Sequence, residues 1–166
     1  MEPATLLALL LSCAPQVDPG TAQALVAVES SLNPHAIGVV GGTLERQPRN
    51  RREALATARA LRNAGWNFSV GLAQINVRNL DRLQLSLESA LEPCRNLAAM
   101  QTVLIECFER SAGAAPRAAV SGQIALRQAL SCYYSGNFDT GFRHGYVRKV
   151  AVAARAVPTA QPKEKA

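Results

Sequence analysis

The residue best placed to do chemistry in this chain is Glu29. Ala22, Leu25 and Val26 stand seven, four and three positions before it, so on a helix all of them share its face. Between Asp18 and Glu45 there is no other acidic residue and no Lys or Arg. A carboxylate on an apolar stripe with no cation nearby is desolvated, which favours its neutral form and raises its pKa. A general acid working near neutral pH needs that condition. If the helix ended sooner, Glu29 would be an ordinary solvated carboxylate at a helix end.

Two further clusters carry polar groups in apolar surroundings. In Gly71-Leu72-Ala73-Gln74-Ile75-Asn76, two amides interrupt an otherwise apolar extended run. Buried without partners they would be costly; lining a cleft, they would hydrogen-bond a polar ligand such as a sugar. In Cys132-Tyr133-Tyr134-Ser135-Gly136-Asn137, tyrosine offers a hydroxyl for a carboxyl group and a flat face for a sugar ring. The same run reads equally well as core tyrosines before a helix end capped by Gly136.

The elements that must position these groups are mostly helices. Pro3 to Ser12 forms a first helix. Asp18-Pro19 then marks a helix start, and the helix runs through Thr21 to about Ser31, where Asn33-Pro34 ends it. Residues 38–50, with Gly38, Gly41, Gly42 and Pro48, are loop or short strand. Arg51 to Asn63 has helical spacing and stops before Gly65, and its Arg-rich side marks it as an exposed insert beside the cleft. Trp66 to Val77 is extended with a turn at Gly71. Helices follow from Pro93 to about Arg110, broken by the Gly113–Pro116 cluster, then from Ala118 to Tyr133 and from Thr140 to about Val157. The expected fold class is mainly α with a minor β segment. One domain spans residues 1–157, and a disordered tail spans residues 158–166.

Composition narrows the partners. Of 166 residues, 48% are hydrophobic but only 5% aromatic, a balance carried by Ala and Leu that favours helix over sheet. No apolar run approaches the roughly 20 residues of a membrane span. The net charge of +6 suits an anionic polymer such as a cell wall, and no nucleic-acid-binding motif accompanies it. Leu6 to Leu11 resembles a short signal core, but Glu2 precedes it and no Lys or Arg does. An export signal is then absent from this chain or atypical.

Cys13, Cys94, Cys107 and Cys132 form no metal-ligand spacing, so two disulfides in an oxidising compartment are expected and no metal. Cys94 and Cys107 fall on one expected helix, with Cα atoms about 20 Å apart, whereas a disulfide needs them within about 7 Å. A hairpin of the two neighbouring helices about residue 113 brings 94 opposite 132. The expected pairs are therefore Cys94–Cys132 and, by elimination, Cys13–Cys107.

Taken together, Glu29-Ser30, Asn33-Pro34-x-Ala36-x-Gly38, Gly71-Leu72-x-Gln74-Ile75 and Tyr133-x-Ser135-Gly136 resemble the family 1 lytic transglycosylases, which have a goose-lysozyme-like helical fold. The likeness covers residues 13–150. It is closest to the dedicated transglycosylases of type IV secretion and conjugation systems, through Cys13-Ala14-Pro15, Ala36 to Gly42, the insert from Gln47-Pro48 to Ser69, and Gln74-Ile75-Asn76. The resemblance implies Glu29 as the catalytic acid/base, supported by Ser30. Ser69, Gln74 and Asn76 would contact saccharide, and Tyr133 would hydrogen-bond the Glu29 carboxyl. It also implies a periplasmic monomer that needs no cofactor, acting on peptidoglycan strands, with type IV secretion components as partners. The family usually has Asn directly after that tyrosine; here Tyr134 stands there.

Most glycosidases use two carboxylates, and none of the three clusters contains a second. The resemblance therefore implies non-hydrolytic cleavage with a 1,6-anhydro product. A hydrolytic lysozyme using Asp81 or Asp139 remains an alternative, as does a peptidoglycan-binding scaffold with a weak site.

Overall fold

A computed structural model of the chain describes residues 1–113 and 122–156. The expected tail at 158–166, the Gly113–Pro116 break and the start of a helix at Ala118 lie wholly or partly outside those residues. Helix α1 (Pro3–Cys13) buries Leu6 and Leu10 in the core, so this segment is part of the folded domain. Helix α2 (Pro19–Ser30) starts as its sequence dictates: Pro19 occupies the first turn and the Asp18 carboxylate accepts from the Thr21 N–H at 2.8 Å. It ends a residue early, because Ser31 and Leu32 both turn left-handed, with φ of 51° and 64°.

Strands β1 (Ile37–Val39), β2 (Phe68–Val70) and β3 (Ile75–Asn76) make one antiparallel sheet in the order β1-β2-β3, with Gly38 opposite Ser69 and Ser69 opposite Asn76. Helix α3 (Arg51–Asn63) interrupts the sheet sequence between β1 and β2, with the expected boundaries. Two of its four arginines lie in exposed ion pairs, Arg59 with Glu88 and Arg62 with Asp81. Ala54 and Ala58, however, are fully buried in the core, so α3 is not merely an exposed insert.

After a single 3-10 turn (Val77–Asn79) come α4 (Leu87–Ala90), α5 (Pro93–Gly113), α6 (Gly122–Ser135), α7 (Thr140–Arg143) and α8 (Tyr146–Ala156). The expected single last helix is two. Gly145 adopts φ 72° and its N–H closes on the Phe142 carbonyl, which ends α7 and re-aims the chain into α8. Helix α5 packs on α6 and on α1, and α2 packs on α8. Among the described residues, no helix is long and apolar enough to cross a membrane.

The cysteines correct the expected pairing. The disulfides are Cys13–Cys94 and Cys107–Cys132, with Cα–Cα distances of 5.3 and 5.7 Å, in place of Cys94–Cys132 and Cys13–Cys107. Helices α5 and α6 pack as a hairpin, but one that pivots later in the chain than residue 113. Because α5 continues to Gly113 and α6 begins at Gly122, the partner opposite Cys132 is Cys107, near the end of α5. Cys94, at the start of α5, is left to meet Cys13 at the end of α1.

Candidate active site

The turn between β2 and β3 is anchored by a buried side chain of α5. Gly71 has φ 81°, and a Cβ there would fall 2.4 Å from the Asn96 side-chain amide, so only glycine fits. Asn96 projects from α5 and is 1% exposed. Its Nδ2 donates to the carbonyls of Val70 at 3.0 Å and Ala90 at 2.7 Å, and its Oδ1 accepts from the Ala73 N–H at 2.8 Å. A buried amide with all these groups satisfied is a rigid bracket.

Within this turn Gln74 holds φ 51°, unusual for a residue with a side chain. Its Nε2 donates to the carbonyls of Ala36 (3.1 Å) and Gly71 (3.0 Å), and these bonds fix it in place. Its Oε1 faces Gly38, where a Cβ would lie 2.6 Å away. Asn76 caps the 3-10 turn by accepting from the Arg78 N–H and donates from Nδ2 to Ser69 Oγ at 3.3 Å. Asn76 is thus paired within the protein through both side-chain atoms and Gln74 through its Nε2, and both border open space.

That space is a cleft of about 270 Å³ whose walls include Glu29, Gly38, Ser69, Gln74, Asn76, Tyr133 and Tyr134. It brings together five of the six residues singled out from the sequence. Ser30 is not part of the wall; its Oγ donates to the Val26 carbonyl inside α2 at 3.2 Å. Its place is next to Glu29 in the last turn of the helix.

Glu29 sits at the C-terminal end of α2, above the fully buried Ala22, Leu25 and Val26. Burial pushes its carboxyl up from 4.5 to about 7, and a hydrogen bond from the Tyr146 hydroxyl to Oε1 offsets part of that rise. The hydroxyl partner is therefore Tyr146 rather than Tyr133. Tyr133 donates instead to the Ala73 carbonyl at 2.6 Å, because its place on α6 points it at the anchored turn. Burial and the nearby Glu29 charge raise both tyrosines well above the ordinary phenol range, so each remains a proton donor.

Tyr146 and Asn96 were not picked out from the sequence. Tyr146 had a readable signal: it shares the buried face of α8 with Val147 and Val150, and a tyrosine on such a stripe needs a partner for its hydroxyl. Asn96 had a weaker one, as a lone amide between Cys94 and Leu97 in an otherwise apolar helix face. Asp81 is 94% exposed at its side chain and lies 4.0 Å from Arg62, and neither it nor Asp139 borders the cleft. Among the described residues, Glu29 is the one carboxylate of the cleft wall. No group of His, Cys, Asp and Glu there has the arrangement of a metal site.

Residues 9–153 match the family described as the transglycosylase SLT domain. The type IV secretion system protein virB1 of Brucella suis biovar 1 is 46% identical over 153 residues, covering 89% of this chain and 63% of that protein. Protein virB1 of Agrobacterium fabrum is 40% identical over 157 residues, covering 92% of this chain and 61% of that protein. The chain thus spans a little under two thirds of the length of these relatives. No solved structure matches it. A mainly helical fold with one small sheet, and a match running from α1 into α8, lead to one assignment: the chain belongs to the transglycosylase SLT domain family, whose fold is lysozyme-like.

Proposed function

We propose that the chain is a lytic transglycosylase of the goose-lysozyme-like family 1 subclass, with Glu29 as its single acid/base. It cleaves the β-1,4 bond between N-acetylmuramic acid and N-acetylglucosamine in peptidoglycan. The observation that carries this reading is one partly buried carboxylate, pushed up to about 7 and held by a tyrosine hydroxyl, in a cleft lined by amides.

A pKa near neutrality suits a group that must give a proton and then take one. Protonated Glu29 delivers its proton to the glycosidic oxygen as the bond to the muramic acid anomeric carbon breaks. The carbonyl oxygen of the neighbouring N-acetyl group bonds to that carbon and carries the positive charge. Glu29, now a carboxylate accepting from Tyr146, removes the proton of the muramic acid C6 hydroxyl. The freed oxygen displaces the acetamido oxygen and closes the 1,6-anhydro ring, leaving Glu29 protonated as at the start. Gln74 and Asn76, with Ser69, hydrogen-bond the saccharide from the rigid turn. No second carboxylate is required, in keeping with the positions of Asp81 and Asp139 outside the cleft.

The likeness to virB1 proteins supports a role in opening the wall for a type IV secretion apparatus, and two disulfides support a periplasmic setting. The chain acts there as one catalytic domain and a monomer. Incubation of the purified chain with peptidoglycan sacculi, followed by mass analysis of soluble fragments, tests the reaction. Anhydro-muramyl ends are expected, and reducing ends would establish a hydrolase instead.

A further inference from the structure

Tyr133 and Tyr134 are consecutive on the last turn of α6 and serve different walls of the cleft. Tyr133 reaches the anchored 71–76 turn. Tyr134 reaches α8: its ring lies on that of Tyr146, with centroids 4.6 Å apart and planes 20° from parallel. Its own hydroxyl meets His144 Nδ1 at 3.2 Å, in the connection that leads to Tyr146. Among the described residues, Tyr134 supplies the ring that stacks on Tyr146. Tyr134 is half-exposed and contributes nothing to the core cluster, so core packing does not account for it.

Tyr146 is the first residue of α8, next to the left-handed turn at Gly145, and its hydroxyl sits at the far end of a long lever. A rotation of about 10° at its first side-chain torsion moves that hydroxyl by about 1 Å, enough to spoil a hydrogen bond. Tyr146 is packed in the core cluster, and the stacked face of Tyr134 adds a flat support that limits such a rotation.

We propose that Tyr134 is a positioning residue of the site: by stacking on Tyr146 it fixes where the Tyr146 hydroxyl lies, and so sets the hydrogen bond that this hydroxyl gives to Glu29. The consequence for catalysis rests on Glu29 being the acid/base, but the coupling itself does not. The groups that bear on the carboxyl are Tyr146 of α8 and Tyr133 of α6. Tyr134 and, through it, His144 face Tyr146. The Tyr146 hydroxyl stabilises the carboxylate, so loosening it moves the Glu29 midpoint upward. Direct loss of cover, letting water reach Glu29, would move it downward.

The test is a carbon-13 carboxyl titration of Glu29 in the full chain, in wild type and in Tyr134→Phe, Tyr134→Leu, Tyr146→Phe and the Tyr134→Leu/Tyr146→Phe double variant. Tyr134→Phe keeps the ring and should titrate as wild type. Tyr134→Leu keeps apolar bulk but loses the flat face, and should move the midpoint up by about half a pH unit. In the double variant the midpoint should equal that of Tyr146→Phe alone, since a residue acting through that hydroxyl has nothing left to act on. Tyr134→Met repeats the ring removal should the Leu variant fold poorly. A downward or absent shift in Tyr134→Leu, or the same shift in the Tyr146→Phe background, would overturn the proposal. Wild-type inactivity on sacculi would sink the transglycosylase reading yet leave this titration able to decide.

Discussion

Glu29 and Glu88 are the same residue type in opposite surroundings. Glu88, at the start of α4, lies on the surface with the Arg59 guanidinium from α3 upon it. Its own backbone N–H, the arginine and Ser86 hold its carboxyl below the ordinary range. Glu53, at the start of α3, is held down in the same way by Arg46 and the Arg49 backbone. Glu29 lies at the end of its helix, over alanine, leucine and valine, with a neutral hydroxyl for a partner. Burial wins there and carries the carboxyl up to about 7. The difference shows what sets a carboxyl's proton affinity in this molecule: it rises where cations are kept away and falls where they gather.

The contrast can be broken most severely by activity. Glu29→Gln keeps the shape and removes the proton, and should lower release of soluble wall fragments by about a thousandfold or more. Glu53→Gln and Glu88→Gln should stay within about twofold of wild type. Residual activity of the Glu29 variant within tenfold of wild type would remove Glu29 from its role.

Stability should sharpen the contrast with its sign. Between 4.5 and about 7 folded Glu29 binds more proton than the unfolded chain does, so stability falls as pH rises through that window. Above it the whole penalty is present, on the order of 3 kcal/mol by the 1.36 kcal/mol-per-pH-unit conversion. Thermal melts of Glu29→Gln should therefore exceed wild type at pH 8, with the gain fading towards pH 4. Glu88→Gln should behave in the opposite sense, losing a little stability near neutrality. An Glu29→Gln melt that is pH-independent relative to wild type would mean the carboxyl is not desolvated.

Tyr146→Phe should have a smaller effect, about tenfold on the rate. Its basic limb of kcat/KM should move to higher pH, because the lost hydroxyl had stabilised the carboxylate. Smallest of all, salt should weaken activity on sacculi a few-fold between about 0.05 and 0.5 M, as attraction from the +6 surface is screened. A flat salt response would detach the arginine-rich surface from substrate encounter.

Local signals were enough for the elements that frame the site. Asp18-Pro19 fixed the start of α2, the three-and-four spacing from Arg51 to Asn63 fixed α3, and Gly71 marked the turn that Asn96 holds. The apolar stripe below Glu29 announced its desolvation before any geometry was known. The features that escaped are those decided by distant contacts or by elements too short to show a period. The partner of Glu29 comes from a helix 117 residues further along the chain, and no spacing rule reaches that far. The disulfides depend on the register between α5 and α6: a pivot near residue 113 sets Cys94 opposite Cys132, whereas the two helices as they stand set Cys107 there. The short helix Leu87–Ala90 was missed because its Ser86–Ser89 capping box closes a single turn, below the length at which periodicity shows.

The central claim is that burial, moderated by one hydroxyl, leaves Glu29 able to give and take a proton near neutral pH. A carbon-13 titration of the glutamate carboxyls of the wild-type chain, with Glu29→Gln used to assign the signal, tests it directly. One carboxyl is expected with a midpoint near 7, standing apart from Glu53 and Glu88, whose midpoints fall below the ordinary value of 4.5. A Glu29 midpoint at or below 4.5 would contradict it.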